Sequence, residues 1–352
     1  MGKDRKSGGR RRLALLLSMC LLLTAVSVAA SAAAPEHVTL TVRASENFPD
    51  EAAEADFQSA GIVLDLYLVA TWNDTPGESL FVPVSPFDTL EIGREIDGDG
   101  WNALALEAAA IVRNGATPVI TGAQIGEKLE ADDAGNELVR GLYLALARGE
   151  ADEDYWTETG EEGEKEIATL ATGDVNVYIF SPLLASLPTK ADGNGDGVIT
   201  TAQDDGAWVA DVELLLKYSM EARFTELIIE KTVEDFEGEE AAFVFDVVAT
   251  LRGQVVYTNT ATIRMGMSGT QTATLDRIPA GAQVTVTEVY SGGRYTISGP
   301  DTVIIEAMSA TEENIVSFQN VFNGSGIGGH GIENHFVYTE GETGDTWQLE
   351  QR

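Results

Sequence analysis

Cysteine is almost missing from this chain. Its 352 residues hold one, Cys20, against 57 acidic residues, 22 Lys and Arg, and 3 His. A lone thiol closes no intramolecular disulfide, so an exported form of the chain must hold its folds together by other means. Basic residues are also short, and the formal charge of −35 argues against nucleic acid and against anionic membranes as partners. After the first thirty or so residues there is no long apolar run, so the mature chain is expected not to span a membrane. His37, His330 and His335 share no segment, and there is no G-x-S-x-G and no phosphate-binding loop. Carboxylates are so abundant that two of them near each other say nothing about a glycosidase pair. No enzyme is expected.

The first segment is informative. Lys3, Arg5, Lys6, Arg10, Arg11 and Arg12 precede an apolar run from Leu13 to about Ala30, and Ala30-Ser31-Ala32 follows. This is the order of a secretory signal peptide, over residues 1–32. Its removal takes away Cys20 and makes the mature chain more acidic still. A secreted, extracellular protein associated with a cell surface is expected. The rest is long enough for two domains with cores of their own.

The first of these spans residues 35–222. His37 to Val42 alternates as a strand, with Val38, Leu40 and Val42 inward and Arg43 outward. Further strands are expected at Ile62–Ala70, Gly141–Ala145 and Val175–Phe180. Trp101, Leu104, Ala108 and Val112 form one helical stripe over Trp101–Arg113, and Asn114-Gly115 ends it. Residues 149–166 read as a solvated acidic loop, and Asp97-Gly98-Asp99-Gly100 as a turn before the helix. Trp101 and Trp208 are read as core aromatics.

The last third carries the chemistry. In Leu227–Val233, Lys231 is in phase with Leu227, Ile229 and Val233. In Val284–Tyr290, Glu288 is in phase with Val284, Val286 and Tyr290; in Val316–Phe322, Asn320 is in phase with Val316, Phe318 and Phe322. All three polar side chains are therefore expected to face a core. Burial pushes Lys and Glu towards their neutral forms. A neutral amine is a nucleophile, and a protonated carboxyl polarises an amide and shuttles its proton. The set can join Lys231 to Asn320 as an isopeptide bond with loss of ammonia, Glu288 promoting the reaction. The other reading is a buried trio that is only hydrogen-bonded.

Two resemblances bear on this. EKTV, FVFDV, the V-T-V-T-E-V strand before G-x-Y, and the closing F-x-N resemble the Cna protein B-type (prealbumin-like) domain of Gram-positive surface proteins, over about residues 224–323. In that family the matching Lys, Glu and Asn carry a self-formed crosslink, which implies the same roles for Lys231, Glu288 and Asn320. L-D-L-Y-L-V-A, then Gly100–Ala109, then G-L-Y-L, then Phe180–Pro188, then W-x-x-D-V are similar to the N-terminal domain of Gram-positive major pilins. Trp208 to Lys217 matches the spacing of the pilin motif, with Leu215-Leu216 where Tyr-Pro is usual. The resemblance makes Lys217 a candidate sortase acceptor. No L-P-x-T-G-like signal closes the sequence given, so a chain ending at Arg352 is not expected to be anchored by its own C-terminus.

Asp192-Gly193-Asn194-Gly195-Asp196-Gly197-Val198 has the D-x-N-x-D-G form of a calcium loop. Asp192, Asn194 and Asp196 offer side-chain oxygens and Val198 a carbonyl. Position twelve is Gln203, not an acid, so calcium and an empty Asp/Gly turn stay equally open. No other cofactor is implied. Residues 324–352 read as a linker and tail, with a hairpin in Glu333–Gln348.

Together these observations imply a mostly β protein of two tandem β-sandwiches (Ig-like or prealbumin-like), the first with a short inserted helix. The role expected is that of a structural, adhesive pilin-like protein whose partners are other pilin or cell-surface subunits and host or glycan ligands. The alternative is a secreted calcium- or carbohydrate-binding module with no role in assembly.

Overall fold

The computed structural model describes residues 34–44, 48–75, 79–93, 98–160, 165–190, 208–238, 240–324, 336–339 and 346–349. They form two compact units that divide for the most part at Phe224. The first runs β1 (Thr39–Arg43), α1 (Glu51–Ser59), β2 (Ile62–Trp72), β3 (Phe81–Pro83), α2 (Gly98–Arg113), β4 (Ile120–Gln124) and β5 (Lys128–Leu129). It continues with β6 (Gly141–Gly149), β7 (Trp156–Thr159), β8 (Glu166–Thr172), β9 (Asn176–Phe180) and β10 (Leu183–Leu187). β11 (Thr189–Lys190), β12 (Trp208–Val209), β13 (Asp211–Leu215) and β14 (Tyr218–Ala222) complete it.

The central sheet of this unit has the order β10-β6-β2-β3, with β4 also on β2. β2 and β6 are apolar runs without alternation because both faces are covered. One face carries Tyr67, Val69, Leu142 and Leu144 against Leu104, Ala108 and Val112 of α2. The other carries Leu64, Leu66, Tyr143 and Ala145 against Leu40, Val42 and Val212. Gly98, Asp99 and Gly100 belong to α2, not to a turn before it. Trp101 and Trp208 are half-buried; Trp208 meets the Trp72 ring edge-on at 5.4 Å.

Two elements depart from expectation. The acidic stretch from Glu51 is α1: Asp50 caps it by accepting from the Ala53 amide at 2.8 Å, and Ala53, Asp56 and Phe57 face inward. Residues 149–166 are not all loop. β7 lies within them and pairs antiparallel with β8, in the order β14-β9-β8-β7. Pairing, rather than apolar content, makes W-T-E-T a strand.

The second unit is a sandwich of β15 (Phe224–Val233), β16 (Ala241–Leu251), β17 (Gln254–Met265), β18 (Gly269–Pro279), β19 (Gln283–Tyr290), β20 (Tyr295–Ile297), β21 (Thr302–Ile305) and β22 (Asn314–Phe322). One sheet has the order β18-β15-β22-β20 and the other β17-β16-β19-β21. β15 and β22 run parallel. A single core joins the inner faces, including Leu227, Ile229, Phe243, Phe245, Val284, Val286, Val316 and Phe318. β23 (Phe336–Thr339) and β24 (Thr346–Leu349) form an antiparallel hairpin.

Candidate functional site

Period-two alternation sends Lys231 inward from β15, Glu288 inward from β19 in the facing sheet, and Asn320 inward from β22. Lys231 and Asn320 are 0% exposed and Glu288 is 5% exposed. Lys231 Nζ donates to both carboxylate oxygens of Glu288, at 2.9 Å and 2.7 Å. Asn320 Nδ2 donates to Glu288 Oε1 at 2.7 Å. One carboxylate thus bridges the amine and the amide.

The site is shut off from bulk solvent and lined by aromatic rings. The ring centroids of Phe243 and Phe245 lie 4.9 Å and 5.8 Å from Lys231 Nζ. Burial pushes the Lys231 pKa below its ordinary 10.5, and Glu288 opposes that by favouring the charged form. The amine is therefore easier to deprotonate than a surface lysine. An amine and an amide, each in contact with one carboxyl group, are the parts needed for amide exchange.

Tyr290 does not share the inward phase of Glu288. Val244 pairs with Tyr290 and Phe245 with Glu288, so β19 bulges by one residue at Val289. The extra residue resets the alternation, and Tyr290 is 50% exposed. Beyond the bulge the Ser291 carbonyl accepts from Asn320 Nδ2 at 3.2 Å. No pattern in the sequence announced that contact. The two phenylalanines were readable as a pair, since F-V-F puts both on one face of β16.

The remaining candidates do not join this cluster. Lys217 is exposed between β13 and β14, its carbonyl accepting from the Ser181 amide at 3.0 Å. Arg43 is exposed and pairs with Glu213 at 3.2 Å. His37 is exposed and meets Glu137 at 3.1 Å. Asp192, Asn194, Asp196, Val198 and Gln203 lie outside the described residues, as do His330 and His335. Among the described residues no group of three or more His, Cys, Asp or Glu is placed to hold a metal ion. No helix of the described residues is long and apolar enough to cross a membrane.

Fold and site define a mostly β protein of two units, the second a sandwich closed around a buried Lys–Glu–Asn set. Residues 227–323 match DUF5979, a domain of unknown function, and the match spans all three site residues. No curated protein matches the chain. Solved structures similar to it include an adhesin of Mobiluncus mulieris containing intramolecular disulfide, isopeptide and ester bond crosslinks. It is 14% identical over 54% of this chain and 79% of its own, with a TM-score of 0.26. GBS52, the minor pilin of the Gram-positive pathogen Streptococcus agalactiae, is 13% identical over 83% of this chain and 98% of its own, with a TM-score of 0.23. The pilus adhesin SpaC of Lactobacillus rhamnosus GG is 12% identical over 82% and 32%, with a TM-score of 0.20. At these TM-scores the likeness carries no argument by itself; the mostly β architecture stands on the strands described above.

Proposed function

We propose that this chain is a secreted, cell-surface structural protein of pilin or adhesin type, whose second unit crosslinks itself through an isopeptide bond between Lys231 and Asn320. The observation that carries the reading is a fully buried lysine joined to a buried asparagine amide through one carboxylate. A buried ion pair alone contributes little to stability, because desolvation offsets the attraction. A covalent bond from Lys231 to Asn320, formed with Glu288 as proton carrier, gives the burial of all three a purpose.

The topology supports a mechanical role. β15 and β22 are the first and last strands of the sandwich and lie side by side in parallel. Tension applied to the two ends of the unit would shear this pair. A bond from Lys231 to Asn320 carries that load directly and keeps residues 232–319 out of the force path. With Cys20 leaving in the signal peptide, the crosslink does for this unit what a disulfide does elsewhere. Lys217, exposed on the first unit, is the side chain we assign as acceptor if another subunit is joined to this one.

The test is a tryptic digest of the full chain analysed by tandem mass spectrometry. A branched peptide joining the Lys231 and Asn320 segments is expected. Two separate linear peptides with intact side chains would refute the crosslink.

A further inference from the structure

The fold distinguishes the two ends of the Asn320 amide, and this observation deepens the crosslink reading, on which it rests. Nδ2 donates to Glu288 Oε1 at 2.7 Å and to the Ser291 carbonyl at 3.2 Å. Oδ1 is buried with no hydrogen-bond partner among the described residues. A backbone carbonyl only accepts, so the atom beside it must bear a hydrogen. Turning the amide over would set two oxygens against each other in a site shut off from bulk solvent. A carboxyl group at this position meets the same demand only when protonated.

Two local features hold the carbonyl in place. The bulge at Val289 takes the chain out of the regular ladder just after Glu288. Gly292 then turns it with φ +77°, where a Cβ would stand 3.1 Å from Tyr295 Cδ2 and 3.4 Å from Phe243 Cε1. Neither the left-handed backbone nor the space suits another residue.

We propose that the Ser291 carbonyl is a specificity-determining group of the crosslinking reaction: it holds the nitrogen that leaves, and so selects an amide over a carboxylate at position 320. In the reaction, neutral Lys231 Nζ adds its lone pair to Asn320 Cγ and the Nζ–Cγ bond forms. Glu288 takes one proton from Nζ and hands one to Nδ2. The Cγ–Nδ2 bond breaks with its electron pair on nitrogen, and ammonia leaves. Nothing is oxidised or reduced. Ser291 acts by position: its carbonyl keeps Nδ2 against Oε1, the oxygen that also contacts Nζ.

The experiment follows intact mass against time in the full chain recovered in denaturant before it has ever folded, and then allowed to fold. Wild type is expected to lose one ammonia. Asn320→Asp, whose leaving group is water, is expected to react about tenfold slower or more near neutral pH, and to speed up as the pH falls and its carboxyl becomes protonated. Ser291→Ala, which keeps the carbonyl, is expected to match wild type, whereas Gly292→Ala, which displaces it, is expected to react more slowly. Loss of water by Asn320→Asp at the wild-type rate near neutral pH would overturn the proposal. Wild-type rates in a folded Gly292→Ala chain would overturn it too. A wild-type chain that keeps its full mass would overturn the crosslink itself and this proposal with it, an outcome visible without any variant.

Discussion

Asn320 stands opposite Val233 in the parallel pair of β15 and β22, two register positions along from Lys231 on the same inward face. The two side chains thus project from one sheet, while Glu288 bonds to both from the other. A crosslink here ties neighbouring strands at opposite ends of a long sequence, and its effects are distinct enough to measure.

Asn320→Ala removes the proposed bond that would close the loop from Lys231 to Asn320. By the loop-closure entropy of a covalent crosslink this costs about 5 kcal/mol. The second unit should therefore unfold at a clearly lower temperature in calorimetry, while a transition arising from the first unit keeps its place. An unchanged profile would mean that no bond was there to lose.

Glu288→Gln keeps the size of the side chain and removes its ability to carry a proton from amine to leaving group. The rate of ammonia loss should fall by roughly 100-fold or more. Intact mass against time checks it, and circular dichroism confirms that the variant is folded.

Lys231 gives a pH signature in chains that cannot crosslink. Burial lowers its folded pKa beneath the ordinary 10.5, with Glu288 opposing. Between the two values the unfolded chain binds a proton that the folded chain has shed, so stability rises with pH across that window. It is complete above about 10.5 and is lost as the pH falls through the lowered folded value. The difference in unfolding free energy between Asn320→Ala and Asn320→Ala with Lys231→Met isolates this group. That difference should move in favour of the lysine chain as the pH rises. The opposite slope would mean that Glu288 outweighs desolvation.

In the first unit, the Asp56 carboxylate accepts from the Val175 amide, from Asn176 Nδ2 at 2.7 Å and from Tyr178 Oη at 2.8 Å. Asp56→Ala leaves these groups short of a partner and should cost about 3 kcal/mol or more of that unit's stability. Ammonia loss from Asn320 should be untouched, which intact mass reads directly.

Much of this was legible in the sequence because strands with one covered face alternate cleanly. β15, β19 and β22 did so, which made the inward phase of Lys231, Glu288 and Asn320 readable. Tyr290 was not, since a one-residue bulge is a property of pairing between strands and leaves no mark in period-two spacing. α1 was hidden by its acidic exposed face, although Asp50 and the pair Ala53 and Phe57 supplied a cap and an inward stripe. β7 has little apolar content beyond Trp156, and only its partner β8 makes it a strand. The Ser291 carbonyl is invisible to any reading of side chains, because its role follows from backbone geometry two residues after a bulge.

The central claim is best tested by the intact mass of the purified mature protein beside its Lys231→Ala variant. The account predicts a wild-type chain lighter than its sequence by one ammonia and a variant at its full sequence mass. A wild-type chain at full mass would contradict it and leave Lys231, Glu288 and Asn320 as a hydrogen-bonded cluster.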